Sequence, residues 1–163
     1  IKRIKKIHLK KKHYKILLMF YEFFVKIMEY LGRKRVIYDR LDEEPYLERY
    51  YIFLKERKNF PFNVFLHRFL KSDPDELHDH PWDFRTLILR GGYWEHTHEG
   101  KFWRKPWSYR YCPANTFHRV ELDPNVKECW TLFIPFKSYK EWGFMTENGW
   151  LKHDLYFKHK KDS

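Results

Sequence analysis

Two hydrophobic periodicities divide the chain. From Ile16 to Leu31, ILLMFYEFFVKIMEYL runs without proline or glycine, and Glu22, Lys26 and Glu29 fall four and three apart. That spacing gathers the charges on one stripe of a helix whose remaining surface is apolar and aromatic. Gly32 follows as a suitable stop. Beyond it the period becomes two. In Tyr46 to Glu56, Tyr51, Phe53 and Lys55 alternate with Tyr50, Ile52 and Leu54, as a half-buried strand requires.

Further strands are expected over Asn63 to Leu70, Phe84 to Arg90, Tyr93 to His98, Phe102 to Cys112, Arg119 to Leu122 and Val126 to Pro135. Turn-forming residues separate them: Arg57 to Pro61, Lys71 to Glu76, Gly91-Gly92, Glu99-Gly100-Lys101 and Asp123-Pro124-Asn125. The short apolar stretch Val36-Ile37-Tyr38 sits in a charged connector, Gly32 to Pro45. The pattern predicts a mainly β chain, one antiparallel barrel carrying an N-terminal helix. The chain divides into a basic N-terminal segment with the helix (1–45), the barrel (46–157) and a basic tail (158–163).

Composition sharpens this picture in three places. A length of 163 residues suits a single core. Aromatic residues make up 21%, enough to line a ligand cavity with rings as well as fill a β core. Net charge is +11; residues 1–15 carry eight Lys or Arg and no acid, and a second basic cluster closes the chain. A basic surface suits anionic partners such as phosphorylated metabolites, nucleic acid or acidic lipid, and also keeps an aromatic-rich protein in solution. Glu22 and Lys26 interrupt an apolar run already shorter than the ~20 residues a spanning helix needs. The helix is therefore expected to pack outside the barrel or on a second subunit, with interfacial membrane association as the alternative. Two cysteines, Cys112 and Cys129, fall in expected strands and make no disulfide framework, so a reducing, cytoplasmic setting is the expectation.

The chemistry concentrates in Leu77-His78-Asp79-His80-Pro81-Trp82-Asp83-Phe84 and in Pro113-Ala114-Asn115-Thr116-Phe117-His118. His78 and His80 share a face of an extended strand, and His118 on a later strand can complete a facial set around one metal ion. Residues 78, 80 and 83 differ in parity, but a bend at Pro81 could turn Asp83 back towards the histidines. His67 reads as a packed or hydrogen-bonded histidine. A second H-x-H pair, His96 and His98, lies beside a hairpin tip and reads as a rim pair. Arg85, Arg90, Arg110 and Arg119 lie in or beside expected strands, where inward arginines could bind a carboxylate or phosphate bidentately.

These two stretches, with Gly91-Gly92 between them, resemble the paired motifs of the cupin superfamily over roughly residues 60–136. The resemblance implies a small antiparallel barrel, or jelly roll, with a metal in its mouth. It matches His78 and His80 to the first motif's histidines, Asp83 to the neighbourhood of its glutamate, and His118 to the second motif's histidine. Three departures stand out. The acid is Asp and comes early. Asn115 replaces a glycine, a position where Asn tolerates a left-handed backbone. The glycine that opens the second motif is missing near Trp107-Ser108.

Neutral imidazoles with at most one carboxylate suit Fe(II), Mn, Ni, Cu or Zn, and the resemblance tilts this towards Fe(II). The leading expectation is an Fe(II)-dependent dioxygenase or hydroxylase for a small anionic or aromatic substrate. Asp83 would be a ligand or base, Arg85 or Arg119 would orient the substrate, and a homodimer is implied by resemblance alone. Arg110 shares a side with Cys112, a pairing similar to thiol dioxygenases only at the motif level. Two other classes compete: a metal-free nucleotide-sugar epimerase or isomerase, with a histidine and a tyrosine moving protons, and a non-catalytic module binding a small ligand, nucleic acid or an acidic membrane surface.

Overall fold

The computed structural model describes residues 19–39, 43–57, 59–74 and 76–162. The expected helix start at Ile16 and the basic stretch 1–15 lie outside them. The chain divides into two compact units, residues 1–34 and 35–163.

In the first unit, helix α1 covers residues 19–30. Gly32 ends it with φ of 61°. Its N–H donates to the Glu29 carbonyl, and the Arg33 N–H reaches back to Met28, at 2.9 and 2.8 Å. This pair of bonds is a Schellman closure, which needs the left-handed backbone that glycine adopts without steric cost. No helix among the described residues is long and apolar enough to cross a membrane.

The second unit is mainly β. Its strands are β1 (Lys34–Tyr38), β2 (Pro45–Tyr51), β3 (Phe65–Phe69), β4 (Phe84–Arg90), β5 (Tyr93–Thr97), β6 (Gly100–Arg104), β7 (Tyr109–Cys112), β8 (Arg119–Glu121), β9 (Cys129–Pro135), β10 (Gly143–Thr146) and β11 (Gly149–Lys152), followed by helix α2 (His153–Asp162). Six strands form one sheet in the order β1-β2-β3-β9-β4-β7, three form a second in the order β6-β5-β8, and β10-β11 is a separate hairpin. Ile88 and Cys129 of the large sheet meet Tyr93 and Val120 of the small one in a buried cluster, flanked by Phe69 and Leu122. The core therefore lies between the two sheets, as in a jelly roll.

Antiparallel register carries one inward row across the large sheet, Arg49 opposite His67, His67 opposite Thr131 and Thr131 opposite Ile88. A polar row inside a β core marks a lined cavity rather than a packing layer. The neighbouring row, Phe65, Phe133 and Thr86, is mostly apolar.

Three expectations change. The strand from Tyr46 stops at Tyr51 rather than Glu56, because Asn63 Oδ1 accepts from the Leu54 N–H and its amide donates to the Leu54 carbonyl, at 3.1 and 3.0 Å. These bonds fold the segment into a loop. The stretch Phe102 to Cys112 is two strands, separated around Pro106-Trp107. The C-terminal region, read as barrel to residue 157 and a solvated tail after it, instead forms the β10-β11 hairpin and the ten-residue α2. Ring contacts hold that helix: Phe144 stacks on Tyr156 at 4.0 Å and Trp142 on His153 at 4.5 Å.

The absent glycine has a structural answer. Asn115 is not among the residues with a left-handed backbone, whereas Trp107 has φ of 71°. Its N–H donates to the Ile88 carbonyl at 2.7 Å while its side chain is 73% exposed. A tryptophan thus holds the conformation that glycine takes at no cost, against a penalty of roughly 1–2 kcal/mol for a Cβ. Trp107→Gly should therefore be more stable than Trp107→Ala by about 1 kcal/mol in urea melts, since only the alanine keeps the strain.

Candidate metal centre

A single bridge brings the three histidines together. The His78 N–H donates to the His118 carbonyl and the His118 N–H to the His78 carbonyl, each at 3.0 Å. In such a reciprocal pair the two side chains stand on the same face. His80, two residues on, shares that face, and its own N–H is held by the Ala114 carbonyl at 3.0 Å. One ring nitrogen from each of His78, His80 and His118 lies within 4.8 Å of the others, the one such group among the described residues.

Asp79 points the other way and anchors the segment from behind. Its carboxylate accepts from the Gly143 N–H at 2.7 Å and from Lys140 Nζ. The Gly143 carbonyl in turn receives the Asp79 N–H at 3.1 Å. A Cβ on Gly143 would stand 2.2 Å from the Leu151 carbonyl oxygen, so β10 can approach this closely only with glycine there.

The rings are oriented as ligands need. His118 Nδ1 donates to Glu95 Oε1 at 3.1 Å, and His78 Nδ1 lies 3.3 Å from the Glu76 carbonyl. Both contacts fix the tautomer with its lone pair on Nε2. The Nε2 atoms of His80 and His118 converge to 2.8 Å. Two imidazoles bound at about 2.1 Å and a right angle to one metal would be about 3.0 Å apart, so the separation fits adjacent ligand positions. Burial, then the charge of His118, His78, Lys140 and Arg49, holds the His80 pKa well below the ordinary histidine range. Neutral imidazole is the form that binds a cation.

Glu95 is the residue the sequence reading missed. It is fully buried on the inward face of β5, diagonal to His118. Arg104 Nε donates to its Oε2 at 2.8 Å, and Arg110 Nη1 donates to the same oxygen. Burial works against its ionised form, but hydrogen bonds from His118 and Arg110 outweigh it and hold the carboxyl down at about 2. The legible signal was parity: Tyr93 and Glu95 alternate with Trp94 and His96, placing an acid beside a core tyrosine.

The other candidates lie elsewhere. Asp83 is not in the histidine group. Its carboxylate accepts from Tyr111 Oη, Tyr139 Oη and the Ala114 N–H, at 2.8, 2.7 and 2.8 Å. Those bonds hold its pKa below the usual aspartate value. Asp83 fixes the Ala114 peptide that holds the His80 backbone and so acts on the site at one remove. Arg85 lies over the rings of Tyr111 and Phe136 on the outer face. Arg119 donates to the Asp73 carbonyl at 3.2 Å. Neither lines the cavity beside the histidines. Arg90 pairs with Glu128. His96 pairs with Glu121 at 2.6 Å, and the His98 ring lies against Phe117. Cys112 and Cys129 are buried free thiols, and burial raises the pKa of both.

The cavity has a volume of about 130 Å³ and lies between the sheets. It is lined by His78, His80 and His118, by the row of Arg49, His67 and Thr131, and by the rings of Trp82, Phe84, Tyr93 and Phe133.

No family model matches the sequence, and no curated protein matches it. Among solved structures it is similar to a cupin 2 conserved barrel domain protein from Rhodopseudomonas palustris, with 15% identity, TM-score 0.56, and 71% of this chain and 80% of that one covered. It is also similar to a cupin-superfamily sugar phosphate isomerase from Silicibacter pomeroyi, with 12% identity, TM-score 0.51 and coverage of 65% and 74%. A third is Fe(II) HppE, with 10% identity, TM-score 0.52 and coverage of 64% and 57%. At these identities the likeness concerns the fold alone, which is cupin-like. His78, His80 and His118 form a group able to hold a metal within it.

Replacing Glu95 should expose how much the site leans on it. Glu95→Gln removes the counter-charge of Arg104 and Arg110, and breaking a buried pair costs about 3–5 kcal/mol. Because the Glu95 pKa is depressed on folding, its contribution is complete above the ordinary glutamate value and is lost as pH falls towards about 2. Denaturant midpoints between pH 7 and pH 3 should fall for the native chain and fall less steeply for Glu95→Gln.

Proposed function

We propose that the protein is a metal-dependent cupin enzyme, an Fe(II) dioxygenase or hydroxylase acting on a small substrate. The convergence of His80 Nε2 and His118 Nε2, with His78 completing the face, carries this reading. Three protein ligands leave the cavity side open to substrate. Similarity in fold to Fe(II) HppE supports iron as the first metal to test; the imidazole set also suits Zn, Mn or Ni.

When bound, Fe(II) would supply the activation of dioxygen that protein side chains lack. The chain's own part is to hold and shield. Glu95 keeps the His118 ring in one tautomer and one orientation. Phe84 packs against His80 at 4.8 Å and Phe133 packs on Phe84 at 4.9 Å, forming an apolar wall that excludes water beside the open position. Tyr93 lines the cavity with a pKa raised by burial and then by Glu95, so its hydroxyl keeps its proton and can donate to substrate.

A competing reading takes the 2.8 Å contact between His80 and His118 as a shared proton in a metal-free acid–base pair. The cavity bears on its substrate: about 130 Å³ is well below the roughly 300–1,000 Å³ of ordinary ligand pockets. That size favours a small substrate over a nucleotide-linked sugar.

The deciding experiment is elemental analysis of protein purified without oxygen or chelators. About one equivalent of iron is expected, lost in His78→Ala and His118→Ala variants whose circular dichroism matches the native chain. Oxygen uptake with candidate small acids and phenols then follows. Native protein that carries no metal and takes up none of Fe(II), Zn(II), Mn(II) or Ni(II) overturns the reading.

A further inference from the structure

The cavity is lined by a half-buried cation, Arg49. It lines the same cavity as the histidines and its charge reaches His80, and its surroundings are the phenols of Tyr46 and Tyr51, a second cation Arg35, the ring of Phe65 and the imidazole of His67. Among the described residues no carboxylate pairs with it. Arginine stays protonated in proteins, and an unpaired charge withdrawn from water is costly. The same chain pairs its other inward guanidiniums, Arg104 and Arg110, with Glu95.

Arg49 is also fixed in direction. Its Nε donates to His67 Nε2 at 3.0 Å, and the guanidinium carbon lies 4.8 Å over the Phe65 ring centre. His67 is buried and stacked on Phe133 at 4.9 Å, so the acceptor cannot swing away. With Nε committed to His67, one face on a ring and a side-chain hydrogen bond to Tyr51, the guanidinium is held in place in the cavity lining. A second donor waits in the same space. Trp82 lines the cavity, and its buried indole N–H is the one buried side-chain polar atom without a hydrogen-bond partner among the described residues. The hydroxyls of Thr86 and Thr131, both buried, complete a wall rich in donors.

We propose that Arg49 and Trp82 form a carboxylate-binding subsite, with His67 as the residue that positions Arg49. The ligand is a small organic acid whose carboxylate lies on the Arg49 fork and whose reacting end faces His78, His80 and His118. This rests on the proposed function for the reacting end alone; the subsite itself needs no metal. A planar carboxylate matches a guanidinium edge with two parallel bonds. A phosphate would place bulk and further negative charge in a space also lined by Phe84, Phe133, Val120 and the carboxylate of Asp73.

The test is calorimetric titration of acetate, glycolate and inorganic phosphate into the full chain, in metal-free and Zn(II)-loaded forms, with tryptophan fluorescence as a second readout. Acetate or glycolate should bind the native protein in both forms, with fluorescence changing on binding. Arg49→Gln should weaken that binding at least tenfold, and Arg49→Lys, which keeps the charge without the fork, should fall between. Trp82→Phe should weaken it several-fold and remove most of the fluorescence change. His67→Gln retains an acceptor and should keep most of the affinity, whereas His67→Leu should lose it, with thermal melts confirming that each variant is folded. Unchanged affinity in folded Arg49→Gln overturns the subsite, as does absence of carboxylate binding in both forms. Binding of phosphate in preference to both acids overturns the ligand class. Metal content measured on the same samples separates this outcome from failure of the metal centre, since protein that loads Zn(II) but binds no acid loses only the subsite.

Discussion

Everything at the centre hangs on one reciprocal pair of backbone hydrogen bonds, between His78 and His118. The pair fixes two things at once. It sets which faces of two chain segments coincide, and therefore that three imidazoles rather than one or two enter the cavity. A slip of one residue would put Asp79 inside and send both His78 and His80 out. The structure guards against that slip with Asp79 itself, whose carboxylate is engaged on the far side by the Gly143 N–H and Lys140. The first histidine motif is thus gripped from both faces.

The same logic explains why the fold was largely legible and the site only half so. Strand positions and the three histidines follow from period and spacing, which are local properties of the sequence. Asp83 was drawn towards the histidines by its nearness in the chain and by resemblance, yet the bend at Pro81 delivers it to Tyr111, Tyr139 and Ala114. Glu95 and Arg49 went unnoticed because their importance is created by contacts between strands. Arg49 matters because register sets it opposite His67, a fact absent from either strand alone. Helix α2 was missed for a related reason: its face is defined by rings on β10, not by a strong period of its own. The left-handed position in the second motif moved from the expected region of Asn115 to Trp107, because the turn geometry is demanded by the Ile88 backbone rather than by the histidine.

Carboxylates in this protein divide into those that hold the frame and one that tunes the centre. Asp73, Asp79 and Asp83 each accept backbone N–H bonds, from Val120, Gly143 and Ala114 respectively. They replace hydrogen bonds that irregular segments could not otherwise make, and thereby allow loops to run through a β body. Among the described residues Glu95 takes side chains alone: His118 on one oxygen, Arg104 and Arg110 on the other. It couples the electrostatics of β6 and β7 to a single imidazole, so a change in either arginine would reach the centre through His118.

That division gives a criterion for reading buried charge. Where a charge exists to support the fold, its partner is supplied by the fold, as Arg104 and Arg110 supply Glu95 and as Glu48 and Glu128 supply Arg68. Arg49 has no such partner among the described residues, although it is oriented by His67 and lies over the ring of Phe65. Folding alone would favour a neutral residue there, because an unpaired buried charge costs stability and gives back nothing structural. A cation oriented by its neighbours and left without a carboxylate among the described residues is the reason for proposing that its anion arrives from outside, with the ligand's other end towards the three histidines that line the same cavity.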